Sequence, residues 1–192
     1  MDQLLDFTGK VALVTGGSRG LGREMALALA ARGADAIITS RKTDACEAVA
    51  AEIEALGRRA MAYGCHVGHW DEIDALVEAA CDRFGKIDIL INNAGMSPLY
   101  ESLSSISEEL FDKVIGVNLK GPFRLMANVG ERMATGDGGS PNAPPPPDTS
   151  PNPLHSPSSW PAVVGRESPP VGGCSGRPAH AALLSLSSAR YI

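Results

Sequence analysis

The chain has 192 residues with 17 Lys+Arg against 22 Asp+Glu, a formal charge of −5. That is long enough for one cored domain and too acidic for the electrostatic footprint of a nucleic-acid binder. No apolar run approaches the roughly 20 residues that cross a bilayer, and Met1-Asp2-Gln3-Leu4-Leu5-Asp6 lacks the basic start and apolar run of a signal peptide. Cys46, Cys65, Cys81 and Cys174 form neither a CxxC pair nor a disulfide framework, which suits a reducing cytoplasm.

Short β-rich runs alternate with helical patterns from the start. Val11-Ala12-Leu13-Val14-Thr15 reads as a strand buried on both faces of a parallel sheet. Leu21, Met25 and Leu29, at i, i+4 and i+8, form the apolar stripe of a first helix, stopped at Gly33. Ala36–Thr39 is a second strand. Val49, Ile53 and Leu56 mark a second helix ended by Gly57, and a third strand lies around Ala60–Tyr63. Ile73, Leu76, Val77, Ala80 and Phe84 form a third helix ended by Gly85, and Ile87–Ile91 a fourth strand. Ser105-x-x-Glu108 reads as a capping box opening a long helix with Leu110, Phe111, Val114 and Val117 on one side. Glycine past each of the first three helices supplies the left-handed residue that ends them. The alternation is that of an α/β, Rossmann-like doubly wound parallel sheet.

The pattern then breaks. Of the 14 prolines, all but Pro98 and Pro122 lie between Pro141 and Pro178, and the last lysine is Lys120. Residues 1–138 read as a compact globular part, and 139–192 as a disordered Pro/Ser/Gly-rich low-complexity tail. The sheet is therefore expected to be truncated after its fourth strand and the following helix. The fourth strand would be left as an open apolar edge prone to aggregation, and the protein poorly soluble.

Between the first strand and first helix stands Thr15-Gly16-Gly17-Ser18-Arg19-Gly20-Leu21-Gly22, in the strand–turn–helix context of a dinucleotide fingerprint. Gly16 permits the tight turn, Gly20 lets backbone approach a pyrophosphate at the helix N-terminus, and Gly22 allows close helix packing. After the second strand, where an acidic residue would select NAD, stand Ser40-Arg41-Lys42. Arg41 can fork onto a 2′-phosphate, so NADP(H) is expected, with NAD(H) the second choice. Asn92-Asn93-Ala94-Gly95 closes the fourth strand at the same sheet edge.

The glycine run, Asn92-Asn93-Ala94-Gly95, and Asn118 in Gly116-Val117-Asn118-Leu119 together resemble the short-chain dehydrogenase/reductase family over about residues 7–138. The resemblance implies that Gly16, Ser18, Arg19, Gly20, Leu21 and Gly22 bind cofactor phosphates. Ser40 and Arg41 would take the adenosine side, Arg41 at the 2′-phosphate. Asn93, Ala94 and Gly95 would line adenosine and the nicotinamide-side ribose, and Asn118 would anchor a water in the proton relay. Where many members carry Asp-Val against adenine, this chain has His66-Val67 after Cys65, so the adenine contact is altered. Cys65-His66-x-x-His69 is read as a loop, not a zinc site, for want of a fourth ligand or second Cys.

Carbonyl reduction needs a donor for the charge developing on the substrate oxygen. The family supplies it with a Ser after the fifth strand and a Tyr-x-x-x-Lys pair on a helix. Four residues after Tyr63 and Tyr100 stand Val67 and Ser104, and no lysine follows Lys120. Only Asn118 survives of that catalytic set. The resemblance thus implies an oxidoreductase, reducing a small-molecule carbonyl or oxidising a secondary alcohol in intact relatives, while this chain is expected to be catalytically incompetent, with weak or no NADPH binding. The abrupt switch after codon 138 looks like a frameshift in a G+C-rich gene. The alternative is a non-catalytic cofactor-binding or interaction protein whose Pro144-x-x-Pro147 and Pro151-x-Pro153 recruit a proline-binding partner. Oligomerisation is doubtful because half of the family's dimer helix pair is missing.

Overall fold

In a computed structural model the chain is described over residues 5–135 and 182–185; the remainder of the Pro-rich segment, including Pro144–Pro147, Pro151–Pro153 and Ser158-Ser159, lies outside them. The elements follow the expected alternation. They are β1 (Val11–Thr15), α1 (Gly20–Ala30), β2 (Asp35–Ser40), α2 (Thr43–Ala55), β3 (Ala60–Gly64), α3 (Trp70–Phe84), β4 (Ile89–Asn92), α4 (Glu108–Ile115), α5 (Gly121–Thr135) and β5 (Ala182–Ser185). A π-turn, Gly116–Lys120, joins α4 directly to α5. No helix among the described residues is long and apolar enough to cross a membrane.

All strand pairs are parallel, in the order β3-β2-β1-β4-β5. The chain steps outward from β1 to β3, then returns to the other side of β1 with β4. Between β1 and β4 the winding reverses, and the crevice outside their carboxyl ends is where such sheets take ligands. Every residue of β1 is buried because helices cover both faces. Leu13, Ile37 and Leu90 pack with α3 and α5, through Ile73, Leu76, Val77, Leu125 and Val129. Val14, Ile38 and Ile91 pack on the other side with Ala26 and Ala30 of α1 and Val49 and Ile53 of α2. Gly33, Gly57 and Gly85 hold the expected left-handed positions, at φ of 102°, 77° and 79°.

Two expectations are corrected. In α1 the fully buried residues are Gly22, Ala26 and Ala30, one position beyond the Leu21/Met25/Leu29 stripe. Small side chains bring the helix close to the sheet, and Leu21 is left 53% exposed at its start. The long helix begins later than the Ser105 capping box predicts. Ser105 ends a 3₁₀ turn (Leu103–Ser105), and Ser107 caps α4 by accepting from the Leu110 N–H at 3.2 Å. Of the apolar side expected there, Val117 is buried but Phe111 is exposed, because α4 itself buries no residue fully.

The four strands β1 to β4 with their helices are the truncated Rossmann-like sheet expected, and one short strand stands beside β4. Ala182, Leu183, Leu184 and Ser185 stand in parallel register with Ile89, Leu90, Ile91 and Asn92. β5 belongs to the same compact unit as β1–α5.

Candidate functional site

The carboxyl ends of β1 and β4 are tied together by Thr15 and Asn93. The Thr15 hydroxyl donates to the Ile91 carbonyl at 3.3 Å and accepts from the Asn93 and Ala94 N–H groups, each at 3.0 Å. Asn93 Nδ2 donates to the carbonyls of Thr15 (3.0 Å) and Gly16 (3.2 Å). Asn93 was expected to line the cofactor ribose. Its side chain is buried and clamps the glycine loop, while Ala94 is half-buried and Gly95 exposed.

The loop glycines differ in what they require. Gly16 has φ +63°, and a Cβ there would stand 2.9 Å from Asn93 Nδ2 and 3.0 Å from Ala94 Cα. A Cβ on Gly22 would overlap both Asn93 Nδ2 and the Gly16 carbonyl, so the close packing expected of Gly22 is against this clamp. Gly20, at φ +56°, has nothing within 4 Å of its Cβ position, so this backbone faces open space.

α1 starts there without compensation. Its N-cap residue Arg19 is extended and makes no side-chain cap, and the first turn carries no acid. By contrast α2 carries Asp44, α3 Asp71 and Glu72, and α4 Glu108 and Glu109 in their first turns. The free N–H groups and positive end of α1 fit an anionic ligand. Ser18 is half-buried, and Arg19 and Leu21 are exposed beside it.

At the end of β2, Arg41 and Lys42 are exposed. The Ser40 hydroxyl is turned inward: it donates to the Lys42 carbonyl at 3.2 Å, accepts from the Lys42 N–H at 3.3 Å, and lies 3.1 Å from Cys46 Sγ. Among the described residues the Arg41 side chain makes no hydrogen bond or ion pair, and it is exposed.

After β3 the loop is held by Glu72. Its carboxylate accepts from the His66 backbone N–H and meets His69 Nδ1, both at 2.6 Å. The His66 N–H, then His69, hold the Glu72 carboxyl below its usual range. His66 Nδ1 accepts from the Gly68 N–H at 3.1 Å, and its ring stacks on His69 with centroids 4.4 Å apart. The two rings lie face to face instead of converging on a common point. Burial pushes the neighbouring Cys65 thiol up to about 12.

Asn118 sits in the π-turn. Its Oδ1 accepts from the Met96 N–H at 2.9 Å and its Nδ2 donates to the Met96 carbonyl at 2.8 Å. The amide thus clasps the segment after β4 at two points, with one N–H and one lone pair left over. In a regular helix the Asn118 carbonyl would accept from residue 122, but Pro122 has no N–H. Sequence reasoning missed the clasp and the π-turn; the Asn118/Pro122 spacing was the available signal.

A glycine loop at the winding reversal of a parallel sheet is the arrangement of the dinucleotide-fold α/β class. Residues 10–140 match the family model described as short chain dehydrogenase, and the chain belongs to that family. It is 41% identical over 127 residues to a 3-oxoacyl-[acyl-carrier-protein] reductase of Synechocystis, covering 66% of this chain and 51% of that protein. It is 38% identical over 131 residues to dehydrogenase/reductase SDR family member 4 of Bos taurus, covering 68% and 47%. The chain thus spans about half the length of the curated relatives it matches. Among solved structures, a metagenomic short-chain oxidoreductase in complex with NADP aligns with TM-score 0.64 at 35% identity, covering 66% of this chain and 57% of that one. A Brucella melitensis 3-ketoacyl-(acyl-carrier-protein) reductase complexed with NADH aligns with TM-score 0.60 at 37% identity, covering 64% and 50%.

Proposed function

We propose that residues 1–138 bind NADP(H) in the crevice between β1 and β4, and that the 192-residue chain holds the cofactor without turning it over. The observation that carries this reading is the start of α1. Two left-handed glycines there frame a helix N-terminus with neither cap nor acid, at the reversal point of the sheet. Gly16, Ser18, Arg19, Gly20, Leu21 and Gly22 would hold the pyrophosphate, with Asn93 fixing the loop from below. Ala94 and Gly95 would border the nicotinamide-side ribose, and His66 and Val67 the adenine. Solved relatives carry NADP or NADH, so the preference here rests on Arg41, whose exposed guanidinium suits a 2′-phosphate better than a bare ribose.

When bound, the nicotinamide supplies or accepts the hydride that interconverts a carbonyl and a secondary alcohol. This chain's residues bind and orient the cofactor, but no tyrosine in it is followed four residues later by lysine. The developing alkoxide would therefore lack its proton donor. Titrating NADPH fluorescence against the full chain tests the first half, with saturable binding expected. Following NADPH oxidation with a panel of aldehydes and ketones tests the second, with background rates expected. Absence of saturable binding would sink the cofactor reading, and turnover above background would sink the claim of incompetence.

A further inference from the structure

The start of α5 packs against backbone. A Cβ built on Gly121 would overlap the Val67 carbonyl oxygen and stand 2.9 Å from its carbonyl carbon. Gly121 is in ordinary right-handed conformation, at φ −64° and ψ −55°, so close approach is what requires glycine here. Val67 is buried in the loop from β3 to α3 that carries His66. On the same loop, a Cβ on Gly68 would lie 3.0 Å from His66 Cε1 and 3.7 Å from Val117 Cγ2 of the π-turn. The loop is thus pressed against the junction of π-turn and α5. The contact at Gly121 is with backbone, which has no rotamer to yield. Further along the same helix, Gly130 has nothing within 4 Å.

We propose that Gly121 is a positioning residue for the cofactor: by admitting the Val67 carbonyl, it sets where His66 and Val67 meet the adenine of NADP(H). This rests on the adenine role proposed above for those two residues. α5 is anchored by the fully buried Leu125 and Val129, and the π-turn by the Asn118–Met96 clasp. A methyl at position 121 therefore displaces the loop and leaves the helix where it is.

The test uses the full chain and two ligands: NADPH, and adenosine 2′,5′-bisphosphate, which carries only the adenosine half. Gly121→Ala is expected to weaken both about tenfold, with helix content by circular dichroism unchanged. Gly130→Ala is expected to leave both affinities as they are. If Gly121→Ala does not fold, Gly68→Ala, which crowds only the His66 ring and Val117, takes its place, with a loss of about threefold for both ligands. A folded variant that binds both ligands like the parent overturns the proposal. So does one that loses NADPH alone and keeps the bisphosphate. Failure of the parent chain to bind either ligand defeats the cofactor reading itself, before any substitution is made.

Discussion

Thr15 ends β1 with a hydroxyl that serves three backbone groups of the segment leaving β4. Replacing it with valine keeps the shape but leaves the Asn93 and Ala94 N–H groups without their acceptor. Thr15→Val is expected to cost about 2–3 kcal/mol, read by urea denaturation, and to weaken NADPH because the glycine loop loses its anchor. Arg41 acts at the surface. Arg41→Ala should lower NADPH affinity about 10- to 100-fold, the range of a lost charge-assisted hydrogen bond, and leave NADH affinity unchanged. Equal losses for both cofactors would show that Arg41 does not meet the 2′-phosphate. At this scale the sequence was legible for conformation and less so for direction. The glycine spacing announced the turn at Gly16 and Gly20. It did not disclose that Asn93 and Ser40 turn inward, since that depends on which neighbouring carbonyls stand within reach after folding.

Among the elements, α1 shows how periodicity misplaces a face. Leucines at i, i+4 and i+8 drew the stripe to the larger side chains, whereas close packing on the sheet selects the small residues one position along. The π-turn was hidden for a related reason: an extra residue in a helix rotates every later side chain, and no sum over a 3.6-residue period reveals it. In α5, Gly130 sits mid-helix in open surroundings, so Gly130→Ala is expected to stabilise the protein by about 1 kcal/mol, seen as a higher thermal midpoint. Strand ends carry their own charge couplings. Burial raises the Asp88 carboxyl, but the Val11 N–H at 2.9 Å, with Lys86 and Lys10, outweighs it and holds the group below its usual range. A carboxyl depressed by folding stabilises above its unfolded value, about 3.9, and that stability is lost as pH falls through the folded value. Asp88→Asn should flatten the loss of stability below about pH 4, measured by chemical denaturation across pH.

For the whole molecule, the doubly wound topology of β1 to β4 was legible because each unit is local and punctuated by a left-handed glycine. β5 was not, because Ala182–Ser185 sits in a stretch whose prolines and lack of charge read as low complexity, and its partner Ile89 is remote in sequence. A double substitution, Leu183→Pro with Leu184→Pro, removes two N–H groups from this strand. It is expected to raise light scattering on warming while leaving the helix content of α1–α5 in place. Unchanged scattering would mean that β5 does not protect the edge of β4.

The remote pairing of β5 also sets a timetable. A ribosome adding about 5–20 residues per second releases α5, then needs roughly 2–10 s more to reach residues 182–185. During that interval β1 to α5 have all they need to assemble, while the outer side of Ile89–Asn92 awaits its neighbour. Nascent chains on one message pass through this stage side by side. A slower ribosome, or a holdase that sits on β4 until Ala182 emerges, would decide how many of them finish as monomers.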